Sequence, residues 1–183
     1  MALPGDKTKK EMLESMLMVN HAGEYGAKRI YQGQLDHLSA PEEIQQEIEH
    51  MAEQEEEHLN YFKQQLITRR IRPTALMPFW HCFGYGIGMV TARMGVSSAM
   101  MCTKAIEEVI DEHYELQIND LDHIKDESAL KEKIKRFQQE ELEHKDSALN
   151  HLQKQQSNPL RNKILGRFIA NFCKLAINLS KRL

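Results

Sequence analysis

Four stretches of this chain carry an apolar stripe at helical spacing, and a glutamate interrupts each stripe near its middle. The first, around "VNHAGEYGAKRIYQGQL" at 19–35, sets Glu24 among Leu13, Leu17, Ala27, Tyr31, Leu35 and Leu38. The second reads Ile44, Ile48, Met51, Glu55, Phe62 and Leu66, with His58 three residues after the glutamate. The third sets Glu107 among Met100, Thr103, Ile110 and Tyr114, and the fourth sets Glu141 and His144 among Ile134, Phe137, Ala148 and Leu152. Residues repeating every three to four positions form the face that a bundle helix buries. A buried carboxylate costs several kcal/mol unless it is protonated or paired. Four of them on converging faces repel one another, and the stripes hold no cluster of lysine or arginine to balance them. Two divalent cations do so most simply, with two neutral imidazoles completing the set. A Glu and a His at i and i+3 lie about 60° apart round a helix and one turn along, so both reach one ion. The expectation is a bundle with a two-metal centre on Glu24, Glu55, His58, Glu107, Glu141 and His144.

A lone Glu-x-x-His is a weak signal, because glutamate is abundant here. Glu47 and His50 form such a pair, one residue out of phase with the stripe, and read as solvated. The other two motifs are in phase, and each follows a lone in-phase glutamate by 31 or 34 residues. That repeat also reads as an internal duplication of helix pairs. Four carboxylates and two imidazoles make a hard, oxygen-rich site, suited to iron or manganese rather than structural zinc. Iron suits it better, although spacing alone does not decide between the two.

Glycine and proline are scarce, at 9 and 5 of 183 residues, which favours an all-α fold. The length suits one domain. Breakers divide it into a first helix pair (7–72), an apolar connector (73–96), a second pair (97–157) and a basic amphipathic helix (160–183). The expected helices run over about 7–38, to about Arg70, 97–124, 128–155 and 160–181, with Ser39 or Ala40 near the second cap. A long connector between the pairs predicts a crossover bundle, not a simple up-down-up-down chain. The three cysteines form no C-x-x-C pair and read as reduced thiols. No apolar leader precedes the first helix.

Residues 73–92 carry no formal charge, yet Gly84, Gly86, Gly88, two prolines and Arg93 argue against a plain spanning helix. The preferred reading is a surface that dips into lipid or admits a lipidic substrate; packing on the bundle is the alternative. From 160 to 183 there are six Lys/Arg and no acids, so the net charge of −3 leaves −9 for the rest. A basic helix with an apolar stripe (Ile164, Leu165, Phe168, Ile169, Phe172, Leu175) suits an anionic membrane surface or a partner groove. An acidic bundle without a broad basic face argues against nucleic acid.

The motifs "VNHAGEYGAKRIYQGQ", "RPTALMPFW", "CTKAIEEVIDEHYELQI", "EELEHKD" and "AINLSKRL" closely resemble the demethoxyubiquinone hydroxylases of ubiquinone biosynthesis, in register from about residue 17 to 183. The resemblance implies a ferritin-like di-iron monooxygenase, peripheral on the cytoplasmic face of a bacterial inner membrane or the matrix face of the mitochondrial inner membrane. Its substrates would be a polyprenyl quinone and O₂. The family's ligands fall on the same six residues, with Glu55 and Glu141 bridging and Glu24 and Glu107 terminal. Its His-Tyr pair falls on His113 and Tyr114, linked to quinone or electron access; Tyr114 also reads simply as a core tyrosine. Glu108 and His21 are weaker candidates for contact with the ligands. Ser15, Met16 and Met18 stand where family members often carry arginines. No dinucleotide motif is present, so electrons would come from NADH, a reductase or the quinol. Other quinone-synthesis proteins and a second copy are further candidate partners. The competing readings are a ferroxidase or iron-binding protein, and a non-catalytic assembly factor.

Overall fold

The computed structural model describes residues 8–154 and 159–181. Helix α1 (Lys9–His37) opens on a capping box that its T-x-x-E sequence encodes. The Thr8 hydroxyl accepts from the Glu11 N–H, and the Glu11 carboxylate accepts from the Thr8 N–H at 2.8 Å. Helix α2 (Glu42–Arg69) begins one residue later than expected. Its cap position is Pro41, whose ring presets the backbone and offers no side-chain acceptor, while Glu42 and Glu43 occupy the first turn. It ends at Arg70, where φ of +57° lets the Ile71 N–H reach the Leu66 carbonyl at 2.9 Å. Then follow α3 (Met77–Arg93), α4 (Val96–Leu121), a 3-10 turn (Lys125–Glu127), α5 (Ser128–Lys154) and α6 (Pro159–Ser180). No strand occurs among the described residues.

The expected connector is thus a helix. α3 runs parallel to α1, because Gly26 faces Trp80 and Gly84, Ile30 faces Gly88, and Gly33 faces Tyr85 and Met89. A Cβ on Gly84 or Gly88 would collide with the backbone carbonyl of Gly26 or Ile30, so glycine is what lets these axes approach. The same traverse makes α4 antiparallel to α1, as the pairings of Asn20 with Gln117 and of Tyr31 with Glu107 show. α6 runs parallel to α4, with Asn162 near Ser97 and Lys174 bonded to Glu112. α1–α2–α3 and α4–α5–α6 therefore repeat one three-helix arrangement. α1 and α4 lie at the centre, α2 and α5 on one flank, α3 and α6 on the other.

α3 and α6 meet through the stacked rings of Phe79, Phe83 and Phe172 and through Trp80, whose indole N–H donates to the Ser180 hydroxyl at 3.1 Å. α6 buries Ile169, Cys173, Ala176 and Ile177 but leaves Leu160, Ile164, Phe168 and Leu175 more than half exposed. Val90 of α3 and Met94 just beyond its end are exposed as well. No helix among the described residues is long and apolar enough to cross a membrane.

Candidate metal centre

Each of the four central helices turns its in-phase carboxylate inward. Glu24, Glu55, Glu107 and Glu141, with His58 and His144, are all at most 3% exposed. Their donor atoms form two overlapping groups, Glu24–Glu55–His58–Glu141 and Glu55–Glu107–Glu141–His144, and within each group all lie within 4.8 Å of one another. Glu55 and Glu141 belong to both. His58 Nδ1 lies 3.1 Å from Glu141 and 3.6 Å from Glu24; His144 Nδ1 lies 3.2 Å from Glu141 and 3.5 Å from Glu55.

Repulsion is visible in the proton affinities. Burial, then the charges of Glu141 and Glu24, push the Glu55 carboxyl well above its usual range, and burial with Glu141 does the same to Glu107. Burial would raise Glu141 too, but the close imidazoles of His144 and His58 outweigh it and bring it to about 2. Burial would depress His58, yet the Glu141 and Glu24 carboxylates push it up to about 12. Both Glu55 oxygens, one oxygen each of Glu24, Glu107 and Glu141, and His144 Nδ1 have no hydrogen-bond partner. Buried polar atoms are seldom left so. Inward-facing carboxylate oxygens without donors, beside the inward Nδ1 atoms of two imidazoles, fit two hard divalent ions.

Several surrounding contacts escaped the reading of single stripes. Tyr114 is a core residue whose hydroxyl donates to Glu24, and Tyr31 mirrors it, donating to Glu107 at 2.5 Å. Each tyrosine follows its own helix's glutamate by seven residues, a spacing that was available in the sequence. The outer nitrogens of the imidazoles are also held: His58 Nε2 by Glu140 at 2.7 Å and His144 Nε2 by Gln54 at 2.9 Å. Such bonds fix ring orientation at metal sites.

Other expectations resolve differently. Glu108 is exposed and bonded to Lys104 at 2.7 Å, away from the cluster, because it sits one position off the stripe. His21 is buried, with Nδ1 unpartnered. His50 is exposed as expected, whereas Glu47 turns partly inward to Ser147 and His151. His113 is half-buried between two cavities of about 180 and 190 Å³. Its Nε2 is unpartnered, and burial with Lys181 nearby lowers it to about 4.

Comparison with known proteins identifies the family. A family model described as "Ubiquinone biosynthesis protein COQ7" matches residues 11–180. The chain is 46% identical to a Rhodospirillum rubrum protein named 3-demethoxyubiquinol 3-hydroxylase, over 79% of this chain and 67% of that one. It is 41% identical to a Bos taurus protein named NADPH-dependent 3-demethoxyubiquinone 3-hydroxylase, mitochondrial, over 97% and 81%. A Dictyostelium discoideum protein of that same name is 44% identical over 80% and 67%. A buried four-glutamate, two-histidine cluster in a duplicated helical bundle, matched along almost its whole length, places the chain in the COQ7 family of ubiquinone biosynthesis proteins.

Proposed function

We propose that this chain hydroxylates the ring of demethoxyubiquinol with O₂, using two iron ions held by Glu24, Glu55, His58, Glu107, Glu141 and His144. The observation that carries the reading is the buried cluster in which every glutamate keeps at least one oxygen without a hydrogen-bond partner, in a chain of this family. Glu55 and Glu141, common to both donor groups, would bridge; Glu24 and Glu107 would be terminal. When bound, the ions supply O₂ reduction and transfer of one oxygen atom to the ring.

The chain's own work is positioning. Glu140 and Gln54 hold the two imidazoles so that Nδ1 points inward. Tyr114 and Tyr31 each occupy one oxygen of a terminal glutamate, leaving its other oxygen free of hydrogen bonds. Near-complete burial keeps bulk water from the reacting site. His113 faces cavities while the next residue, Tyr114, touches Glu24, so this pair joins a surface recess to the cluster. The neutral imidazole there suits a hydrogen bond to a quinone oxygen. Electrons come from an external donor, and the names of the eukaryotic relatives favour a reduced nicotinamide.

The exposed apolar face of α3 and α6, bordered by Lys163, Arg167 and Lys174, would rest on an anionic membrane where a polyprenyl substrate resides. Because α6 also fills the core, point changes test this better than truncation. Replacing Ile164 and Phe168 by serine should abolish flotation with anionic vesicles while the fold persists; unchanged flotation would remove this face from the proposal.

The central test is a single turnover. Iron-loaded protein, reduced demethoxyubiquinone analogue, an added reductant and ¹⁸O₂ should give quinone carrying one labelled oxygen, with none from Glu141→Ala. Iron oxidation without ring labelling, even with a reductase present, would shift the reading to a ferroxidase.

A further inference from the structure

The duplicated halves superpose residue type on residue type at the cluster: Glu24 with Glu107, Tyr31 with Tyr114, Glu55 with Glu141, His58 with His144. The equivalence breaks one bond further out. Gln54 immediately precedes Glu55, and Glu140 immediately precedes Glu141, so they hold matching positions. Each crosses to the histidine of the other half. His144 Nε2 meets the neutral Gln54 carbonyl at 2.9 Å, whereas His58 Nε2 meets the Glu140 carboxylate at 2.7 Å. Glu140 does not stand alone. Its other oxygen accepts from Arg136 Nε at 2.9 Å, and Arg136 in turn holds Glu57, which also receives Lys133 at 3.1 Å. The carboxylate is thus fixed toward the ring, while the balancing cations lie farther out, at partly exposed positions.

A ring N–H bonded to a carboxylate gives up more of its proton's charge than one bonded to an amide oxygen, and the opposite nitrogen becomes the stronger donor. The anion also adds attraction for a dication on that side. We propose that Glu140 makes the two metal positions unequal, so that a divalent ion fills the Glu24–Glu55–His58–Glu141 position first and is held there more tightly than in the Glu55–Glu107–Glu141–His144 position. Glu140 is a positioning residue, acting through His58, and Gln54 is its weaker counterpart. This rests on the reading of the cluster as a two-metal site.

The test uses metal-free full-length protein titrated with Co²⁺ in calorimetry, with ligand-field absorption recorded at each step. The wild type should bind in two resolved steps. Glu140→Gln should weaken the first step by about 10- to 100-fold and bring the two together. Gln54→Glu should instead tighten the second, and the exchange Gln54→Glu with Glu140→Gln should reverse the order. Glu24→Gln should remove the tight step and Glu107→Gln the weak one. Two equal steps in the wild type, or a Glu140→Gln effect equal on both, would overturn the inequality while leaving a two-metal site. Absence of stoichiometric binding by the wild type would overturn the metal reading beneath it. The Gln54→Glu arm gains affinity, so a folding defect cannot mimic its expected result.

Discussion

Helix α1 meets its neighbours across two contacts built on opposite principles. Toward α2, α4 and α5 it presents Glu24 and Tyr31, whose polar atoms must each find a partner in a dry interior. Toward α3 it presents Gly26 and Gly33, which have no side chain and let a second backbone lie against the first. The carboxylate side is governed by charge and should respond to pH and to metal. The glycine side is governed by volume and should be indifferent to both. One helix can therefore serve a reactive centre without loosening, because its opposite seam holds it by shape alone.

The largest expected effect separates the two sides by removing metal. Ligand in excess of 1,000 times its dissociation constant stabilises by roughly 4 kcal/mol per site. Chelation should lower the thermal midpoint by a corresponding amount, and Gly88→Ala should show the same chelation shift on a lower baseline. That substitution comes next in size. Its Cβ would enter the Ile30 carbonyl, and neither backbone can yield, so a loss of about 3 kcal/mol is expected in denaturant titration. A loss below about 1 kcal/mol would show that the seam has slack.

The third concerns the carboxylate side without metal. The Glu55 carboxyl is raised above its unfolded value, so its contribution is full below about pH 4 and is lost as pH rises toward its folded pKa. Metal-free wild type should lose up to about 1.4 kcal/mol per pH unit for each proton so retained. Glu55→Gln should flatten that slope while abolishing bridging by this side chain when metal is added. A parallel slope in the variant would place the repulsion elsewhere. The smallest effect is a control within the seam's own helix. A Cβ on Gly86 would meet nothing within 4 Å, so Gly86→Ala should gain about 0.5–1 kcal/mol from helix propensity.

The stripes carried the inward direction of Glu24, Glu55, Glu107 and Glu141, because phase within one helix decides which side chain turns inward. What lies between helices was harder to see. Tyr31 belonged to an apolar stripe and showed no function until its hydroxyl was found on Glu107 of α4. Gln54 and Glu140 sit one position off phase and drew no expectation from the stripes, yet each reaches across to an imidazole of the facing helix. Glu108, equally off phase beside Glu107, does face outward. The phase argument has no means to tell these cases apart, since the outcome depends on whether a partner helix covers that edge. In 73–92 the glycines lower helix propensity and argued against a plain spanning helix, with packing on the bundle only the alternative reading. Close packing against α1 outweighs that cost, and the same glycines are what a helix needs there.

The long-range bonds of α1 and α3 also set a schedule for synthesis. Glu24 is held by Tyr114, 90 positions downstream, and Trp80 by Ser180, 100 positions downstream. At roughly 5–20 residues per second, Glu24 waits on the order of 5–20 s for its tyrosine partner on α4. Contacts this distant along the chain are slow to close. Until then Glu24 lacks that partner, whereas the glycine face of α1 can already be covered by α3, which is made earlier. Under the proposed iron centre, the order in which iron and helices arrive would itself be a variable of maturation, and iron shortage would lengthen the period before the cluster closes.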